Sequence, residues 1–296
     1  MNSEQHFTTH VLGDGSASTL RARPADVYTH DQLADLYNQT RIDYIVPMPM
    51  DAKRMADYIR QYDVSLEGST IAFDADDQPT GIIMLGLREK RSWITRLGVL
   101  PNQRGNKVGQ YLMERSIEMS KRLHVRTVQL EVIQGNQPAY RLFQKLGFVE
   151  IGELMVIRRP PSPLVTSYVP EGTLVEPLDA EAIQHYLAQR NVPVAWTEEA
   201  SSLLHAGSLR GIRATLPNQE SGWLVYQLLP LQLTHVVLSP SISDELAQAL
   251  LYLLHKQHPF HDTKVENVPA GHPTWAAFQR LGYVEAFRRI EMHLAL

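Results

Sequence analysis

The sequence predicts two tandem domains of α/β (α+β) class, each a mixed sheet flanked by helices. In the first half, strand-like segments alternate with helix-like segments, and the turn residues DDQP at 76–79 indicate a hairpin. The second half repeats the first, because LFQKLGFVE at 142–150 aligns without gaps with AFQRLGYVE at 277–285. A repeat at this spacing is typical of two copies of one fold rather than of a solenoid. The proline-rich stretch RPPSP at 159–163 separates the copies.

We expect a flexible N-terminal segment over residues 1–18, a first domain over 19–160, a linker over 161–165 and a second domain over 166–296. Apolar spacing predicts the order of elements in the first domain. These are a strand at 19–24, helices at 31–37 and 50–63, strands at 69–75, 80–89 and 92–100, a helix at 108–123, a strand at 126–133, a helix at 138–147 and a strand at 148–159.

Composition and charge limit the classes of function. The formal net charge of −4 argues against a general nucleic-acid-binding protein, which would normally carry a basic excess. The absence of cysteine excludes thiol catalysis, disulfides and cysteine-ligated zinc, and it is compatible with a reducing compartment. The sequence has neither a secretory signal pattern nor an apolar stretch of about 18 residues. We therefore expect a soluble, cytoplasmic protein whose partners include neither nucleic acid nor a membrane.

The stretch VLPNQRGNKVGQYL at 99–112 places a basic, glycine-containing turn between a predicted strand and a predicted helix. A helix N-terminus carries N–H groups without partners and partial positive charge, so such a turn can bind an anion. Gly105 and Gly109 allow close approach of the backbone, and Arg104 and Lys107 add positive charge. The turn predicts a pyrophosphate site, and the alternative is an ordinary loop with solvated basic residues. It is neither a Walker A loop nor a GxGxxG fingerprint.

With these residues the region from 92 to 150 resembles the GNAT superfamily of N-acetyltransferases. Val99-Leu100-Pro101 and the turn at 104–109 match the family's pyrophosphate-binding pattern, although Lys107 stands in place of the first glycine of its G-x-G. Downstream, the family's second motif is matched by Asn136, Ala139, Phe143 and Leu146-Gly147-Phe148. The resemblance implies mostly antiparallel sheets, acetyl-CoA as co-substrate and no metal.

The resemblance also implies which residues bind the coenzyme. In the family the fourth strand separates from the fifth at a bulge, so the backbone of Leu97, Gly98 and Val99 would contact the pantetheine arm and the acetyl group. For Asn136 the alternative is capping of the helix that follows it. The other implied coenzyme contacts are Arg104, Gly105, Asn106, Lys107, Val108, Gly109, Gln110 and Phe143.

Two residues are candidates for proton transfer. Alternation along TVQLEVI places Glu131 on the face opposite to its apolar neighbours, where it could act as the base that deprotonates an amine. The alternative is a solvated or ion-paired strand carboxylate, which the matching Glu266 of the second copy favours. Many family members protonate the leaving thiolate with a tyrosine, but Phe143 occupies that position here. Tyr140, three residues earlier, is a weaker candidate for the acid, and its alternative is packing.

The acceptor side is less clearly marked in the sequence. The loop RIDYIVPMPM at 41–50 would lie near the acceptor, with Tyr44 and Met48 as binding residues, and the alternative is packing between two helices. The histidines at 255, 258 and 261 are interrupted by Pro259, so we expect a surface cluster near a helix end rather than a metal site.

The sequence therefore favours an N-acetyltransferase that moves an acetyl group from acetyl-CoA directly to a primary amine, with no covalent enzyme intermediate. The acceptor would be a small molecule or a peptide. The alternatives are a CoA-binding module without catalysis and an acyltransferase that uses a different acyl donor. The second copy has SPSISDELAQALL at 239–251 in place of the basic turn, which indicates a degenerate domain. That copy would support the fold, form a homodimer or line the acceptor cleft.

Overall fold

A computed structural model describes residues 20–164 and 168–296 of the chain. The predicted flexible segment at 1–18 lies outside the described residues, as does residue 165 of the predicted linker. The chain divides into two compact units: the first extends to Ile151 and includes Glu291–Leu296, and the second is Gly152–Ile290. In the described residues no helix is long and apolar enough to cross a membrane.

The first unit follows the predicted order of strands and helices closely. The predicted helix at 108–123, for example, is observed over Val108–Arg122. The elements of the chain as far as Arg159 are β1 Arg21–Pro24, α1 His30–Gln39, α2 Ala52–Gln61, β2 Val64–Phe73, β3 Pro79–Arg88, β4 Arg91–Val99, α3 Val108–Arg122, β5 Thr127–Ile133, α4 Gln137–Lys145 and β6 Val149–Arg159.

The sheet of the first unit has the order β1-β2-β3-β4-β5, and the pairs from β1 to β4 are antiparallel. β4 and β5 are parallel because α3 carries the chain back across the sheet between them. The sheet is covered by apolar side chains from strands and helices that are completely buried, such as Ile82, Leu85, Leu112 and Met113. This packing holds the end of β4 and the start of α3 in a fixed place.

The second unit repeats this arrangement of strands and helices. Its strands have the order β6-β11-β10-β9-β8-β7, and only β10 and β11 are parallel among the pairs from β11 to β7. The elements of the chain after Arg159 are β7 Leu174–Leu178, α5 Ala180–Ala188, α6 Ala200–Ala206, β8 Leu209–Thr215, β9 Ser221–Leu228, β10 Gln232–Leu238, α7 Asp244–Gln257, β11 Asp262–Pro269, α8 Trp275–Arg280 and β12 Val284–Ala295.

The two units exchange their last strands. Most of β6 pairs with β11 of the second unit, in a register that runs from Leu154 opposite Pro269 to Arg159 opposite Thr263. The end of β12 instead belongs to the first unit and follows β5 in its sheet. The predicted domain limits at 160 and 166 assign each last strand to its own copy, whereas the structure divides the chain at Gly152 and Glu291.

Candidate active site

Strands β4 and β5 lie side by side only at their start. Arg91–Trp93 pair in parallel with Thr127–Gln129, and in the described part of the chain this pairing does not continue further. The register between β3 and β4 shifts between Thr95 and Gly98, and Arg96 adopts a positive φ of 53° there. The extra residue on β4 is a β-bulge, which bends a strand away from its neighbour. A cleft therefore opens between the ends of the two strands.

The turn after β4 leads directly to the N-terminus of α3. A short 3₁₀ helix at Pro101–Gln103 is followed by Gly105 and Lys107, whose φ values are 84° and 58°. Lys107 is the N-cap of α3 and its side chain makes no capping hydrogen bond. The amides at 108–110 are the first N–H groups of the helix and have no acceptor within it. This helix end can therefore bind an anion.

Two glycines near this turn have different reasons for being glycine. Gly105 is glycine because of its backbone, whose φ of 84° lies in the left-handed region. Space is not the reason, since a Cβ there would meet nothing within 4 Å. Gly98 needs space, because a Cβ would lie 2.1 Å from Oγ1 of Thr40. Gly109 is helical, and a Cβ at this position would make an ordinary contact of 3.6 Å with Val99. A side chain at position 109 therefore fits the fold itself.

Arg104 is held by the loop between α1 and α2. Its guanidinium makes two bonds of 2.6 and 2.7 Å to the carboxylate of Asp43, and it also donates to the carbonyl of Thr40 at 3.2 Å. The hydrogen bonds from Arg104 lower the pKa of Asp43. The positive charge expected of Arg104 is therefore matched by a carboxylate, which the sequence did not indicate.

A lysine that the sequence analysis missed lies beside the first turn of α3. Nζ of Lys145 donates to Oε1 of Gln110 at 3.0 Å, and Nε2 of Gln110 donates to Glu114 one turn later. Asn106 and Lys107 are exposed on the turn itself. Lys145 is the last residue of α4, so only the folded chain brings its charge to this place.

Glu131 lies on β5 where the cleft opens. Its Oε2 accepts a hydrogen bond of 2.7 Å from Nε1 of Trp93, which is 3% exposed. The indole packs in turn against two tyrosines of α2 and its C-terminus, with ring centroids 6.2 Å from Tyr58 and 5.6 Å from Tyr62. The orientation of the Glu131 carboxylate is thus fixed, because an aromatic cluster holds its hydrogen-bond donor in place.

The bulge residue Arg96 completes the polar lining on β4. Its guanidinium lies 4.1 Å from the ring centre of Tyr58 and donates to the hydroxyl of Tyr37 at 2.9 Å. The hydroxyl of Tyr58 bonds Oγ1 of Thr95 at 2.5 Å, and burial raises the pKa of Tyr58 to about 12. The i, i+4 spacing of Tyr58 and Tyr62, the residue after α2, was a signal for an aromatic face. The family resemblance implied a bulge in this strand without naming Arg96 as its residue.

The predicted acceptor residues lie next to site residues. The guanidinium of Arg41 lies 3.8 Å from the ring centre of Tyr44, whose hydroxyl accepts from Nδ2 of Asn136 at 3.3 Å. Sδ of Met48 is 3.8 Å from Nη1 of Arg96. The loop between α1 and α2 therefore reaches both the start of α4 and the bulge in β4.

The predicted second-motif residues have structural contacts of their own. Asn136 caps α4, because its Oδ1 accepts from the amide of Ala139 at 3.4 Å. The ring of Phe143 is 5% exposed and packs against Phe148, with centroids 6.1 Å apart. Capping and coenzyme binding by Asn136 remain compatible.

Tyr140 is engaged by its neighbours. Its hydroxyl donates to Oε1 of Glu150 and accepts from Nε2 of Gln144 at 2.8 Å. The hydrogen bond to Glu150 raises the pKa of Tyr140, so the phenol keeps its proton at neutral pH.

The histidines at 255, 258 and 261 do not form the expected surface cluster. His255 is completely buried in α7 and its Nε2 bonds the hydroxyl of Tyr283 at 2.9 Å. His258 bonds Tyr226 at 2.7 Å at the helix end. The expectation was wrong for His255 because α7 turns this position toward the core. Among the described residues, no group of three or more His, Cys, Asp or Glu side chains is placed to hold a metal ion.

Comparison with protein families decides what kind of domain this is. Residues 32–148 match the Acetyltransferase (GNAT) family. These residues form a GNAT acetyltransferase domain. The turn, the cleft and every predicted coenzyme, catalytic and acceptor residue lie within this GNAT domain. Its family transfers acyl groups from acyl-CoA. None of the curated proteins compared with the chain is similar to it.

Solved structures extend the fold assignment beyond the GNAT domain. A putative acetyltransferase from Pyrococcus horikoshii has 17% identity and a TM-score of 0.64, over 97% of this chain and 93% of its own. A GCN5-related N-acetyltransferase from Sphaerobacter thermophilus has 15% identity and a TM-score of 0.67, over 93% and 95%. A tandem GNAT protein from the clavulanic acid biosynthesis pathway has 16% identity and a TM-score of 0.64, over 93% and 98%. At such identities the likeness shows a tandem GNAT fold.

Proposed function

We propose that this chain is an acetyl-CoA-dependent N-acetyltransferase whose first unit performs the reaction. The acceptor is a primary amine on a small molecule or a peptide, and the acetyl group moves to it directly. The observation that carries the proposal is the turn at 104–109. This turn leads from the end of β4, where the β4–β5 cleft opens, to the N-terminus of α3, and the Lys107 side chain does not cap that helix end. We also propose a cytoplasmic location, with which the cysteine-free composition is compatible.

Coenzyme binding follows from the chemistry of the turn. A diphosphate carries concentrated negative charge, and the amides of Val108, Gly109 and Gln110 present N–H donors at the positive end of a helix dipole. Lys145 adds a full positive charge beside Gln110. Because the charge of Arg104 is matched by Asp43, we assign the greater part of the binding to main-chain amides and Lys145.

The acyl arm would lie along β4 beyond the bulge. There the backbone of Leu97, Gly98 and Val99 is no longer paired with β5, so one side of β4 is open to a pantetheine arm. An N–H donor prepared in this cleft would stabilise the negative charge that develops on the thioester oxygen. The carbonyl of Leu97 already accepts from Arg41 at 3.1 Å, which fixes this part of the strand.

Glu131 is the proposed base. A free alkyl ammonium has a pKa near ~10, so its proton must be removed before the nitrogen can attack. Glu131 accepts that proton, the C–N bond forms at the thioester carbon, the nitrogen gives its second proton to water, and the C–S bond breaks to release the coenzyme thiolate. Water protonates the thiolate, because Phe143 has no proton to give and the phenol proton of Tyr140 is bound to Glu150.

Phe143, which has no proton to donate, supports one alternative, a module that binds coenzyme A without catalysis. Release of free thiol from acetyl-CoA distinguishes the two functions. The full chain is incubated with acetyl-CoA and a panel of primary amines and amino-terminal peptides. Thiol release that depends on one class of amine supports the transferase. Saturable binding of acetyl-CoA without thiol release for any amine supports the module, and absence of binding contradicts both.

A further inference from the structure

The second unit contains a cavity of about 370 Å³. It lies where β10 and β11 separate, because their parallel pairing covers only Gln232–Thr234 and Asp262–Lys264. His235 follows with a φ of 50° at a bulge in β10, much as Arg96 does in β4. The walls are mainly apolar, with contributions from Val237, Leu238, Val268 and Phe278. A mainly apolar cavity with a few polar groups is typical of a small-molecule site.

Arg190 supplies a positive charge to this cavity. Its Nη1 donates to the main-chain carbonyl of Glu198 at 3.1 Å, and among the described residues no carboxylate lies within 4.0 Å of its guanidinium. Burial lowers the pKa of Arg190, an effect that the charge of Glu198 opposes. An arginine keeps its proton in proteins, so this wall carries a cation that an anion would satisfy.

His272 lies near Arg190 and lines the same cavity. The amide of Thr274 donates to Nδ1 of His272 at 3.4 Å and the Thr274 hydroxyl lies 3.0 Å from the same nitrogen, so we assign the ring proton to Nε2. Burial lowers the pKa of His272, and the charge of Arg190 lowers it further, which keeps the ring neutral. The cavity wall thus has two neighbouring groups that only donate, a guanidinium and an imidazole N–H.

The two carboxylates that line the cavity already have side-chain partners. Glu198 bonds Nδ1 of His235 at 3.3 Å. Glu266 bonds Nη2 of Arg289 at 2.8 Å and is also bonded by Nζ of Lys264. These cations lower the pKa of Glu266 and keep it ionised. Among the charged side chains of the lining, Arg190 is therefore the one whose hydrogen-bond partner is a main-chain carbonyl, and it marks a positive part of the wall.

The neighbouring helix end excludes a coenzyme diphosphate. The N-terminus of α7 is capped by Ser243, whose amide and hydroxyl both donate to the carboxylate of Glu220 at 2.7 Å. Asp244 and Glu245 add two more negative charges to the first turn. Like charges at this position repel a phosphate, so the cavity is suited to a ligand without one.

We propose that the cavity of the second unit binds a small organic carboxylate with an apolar body, with Arg190 as its counter-ion and His272 as a second donor. An arginine binds a carboxylate through two parallel hydrogen bonds, and the apolar walls bury the remainder of the ligand. This site is separate from the proposed transferase chemistry and does not depend on it.

Saturation-transfer NMR and calorimetry on the full chain test the proposal. Hexanoate and benzoate are the probes, and hexanamide and benzamide are the uncharged controls of the same shape. We expect saturable binding of at least one acid, and binding of its amide weaker by about tenfold or more. The comparison uses the unaltered protein, so it stands even if a variant folds poorly. Binding of neither acid, or equal binding of acid and amide, would overturn the proposal.

The variant Arg190→Gln locates the site. We expect it to weaken binding of the acid by about tenfold or more, and Arg190→Lys to retain part of the binding because it keeps the charge. Arg210→Gln is the matched control, since Arg210 also donates to a main-chain carbonyl, at 3.1 Å, but lies outside the cavity lining. Unchanged binding in a folded Arg190→Gln protein would place the acid elsewhere and refute the assignment.

Discussion

The indole of Trp93 donates a 2.7 Å hydrogen bond to the carboxylate of Glu131 at the point where β4 and β5 part. The last paired residue of one strand therefore orients the proposed base on the other. A carboxylate held by a buried donor keeps one orientation, and this lowers the entropic cost of placing it against a substrate amine. The two residues are 38 positions apart in the chain, so the contact depends on the sheet.

Replacement of Glu131 by Gln should lower turnover by more than about tenfold, because the amide cannot take a proton. The affinity for acetyl-CoA, measured by calorimetry, should change little, since Glu131 lies on β5 and the phosphate turn precedes α3. Trp93→Phe is a companion variant that removes the N–H donor to Glu131 and also shortens the ring packed against Tyr58 and Tyr62. Equal turnover of the Glu131→Gln and unaltered proteins would exclude Glu131 as the base.

Replacement of Gly109 by Glu should weaken coenzyme binding while the fold stays intact. A Cβ fits at this position, with its nearest contact 3.6 Å away, and a carboxylate in the first turn of a helix is favourable to the helix. The same carboxylate should repel the diphosphate and weaken CoA binding by about tenfold or more. Gln137→Glu places an equal charge in the first turn of α4 and serves as the control. A Gly109→Glu protein that binds CoA normally would refute the phosphate site.

Replacement of Asp43 by Asn should tighten CoA binding about two- to fivefold at low salt. The substitution leaves the charge of Arg104 unmatched beside the phosphate turn, and salt screens such exposed charges. We therefore expect the gain to disappear at high ionic strength. Asp57→Asn on α2, which breaks an exposed pair with Lys53, is the control and should have no effect on CoA binding. A gain that persists in high salt would contradict the electrostatic explanation.

Stability should fall as the pH is lowered, in part because of His255. Burial lowers the pKa of His255 to about 3. Between pH 6.5 and 3 this histidine therefore binds a proton in the unfolded chain but not in the folded chain. The contribution is up to about 1.4 kcal/mol per pH unit in this range. His255→Gln should be less stable at pH 8 but should lose less stability between pH 8 and 5. Denaturant unfolding at both pH values measures this, with the exposed His30→Gln as control. Parallel losses in all three proteins would contradict the assignment.

The sequence predicted the order of elements because apolar periodicity and turn residues are local properties. The helix at 108–122 and the hairpin at 74–78 are examples. The pairing of Arg104 with Asp43 could not be predicted, because the residues are 61 positions apart and meet only in the folded unit. The family resemblance implied a bulge in this strand but did not place it at Arg96, since a positive φ at arginine is imposed by the strands around it.

The domain limits show the same distinction between local and distant information. The repeat identified two copies of one fold and located their related helices, α4 and α8. It assigned β6 to the first copy and β12 to the second, because an alignment follows the order of the chain. Which strand completes which sheet is decided by pairing between distant segments, and here Gly152 and Glu291 mark the change.

The exchange of β6 and β12 has a consequence during biosynthesis. Domains generally fold from the N-terminus as they leave the ribosome. Here the sheet of the first unit lacks a strand until residues 291–296 have been translated, although its other strands are complete by residue 133. The nascent GNAT domain therefore keeps the edge of β5 uncovered while the second unit is being translated, and ribosome-bound chains that stop at residue 290 should be more sensitive to protease than chains that include residues 291–296.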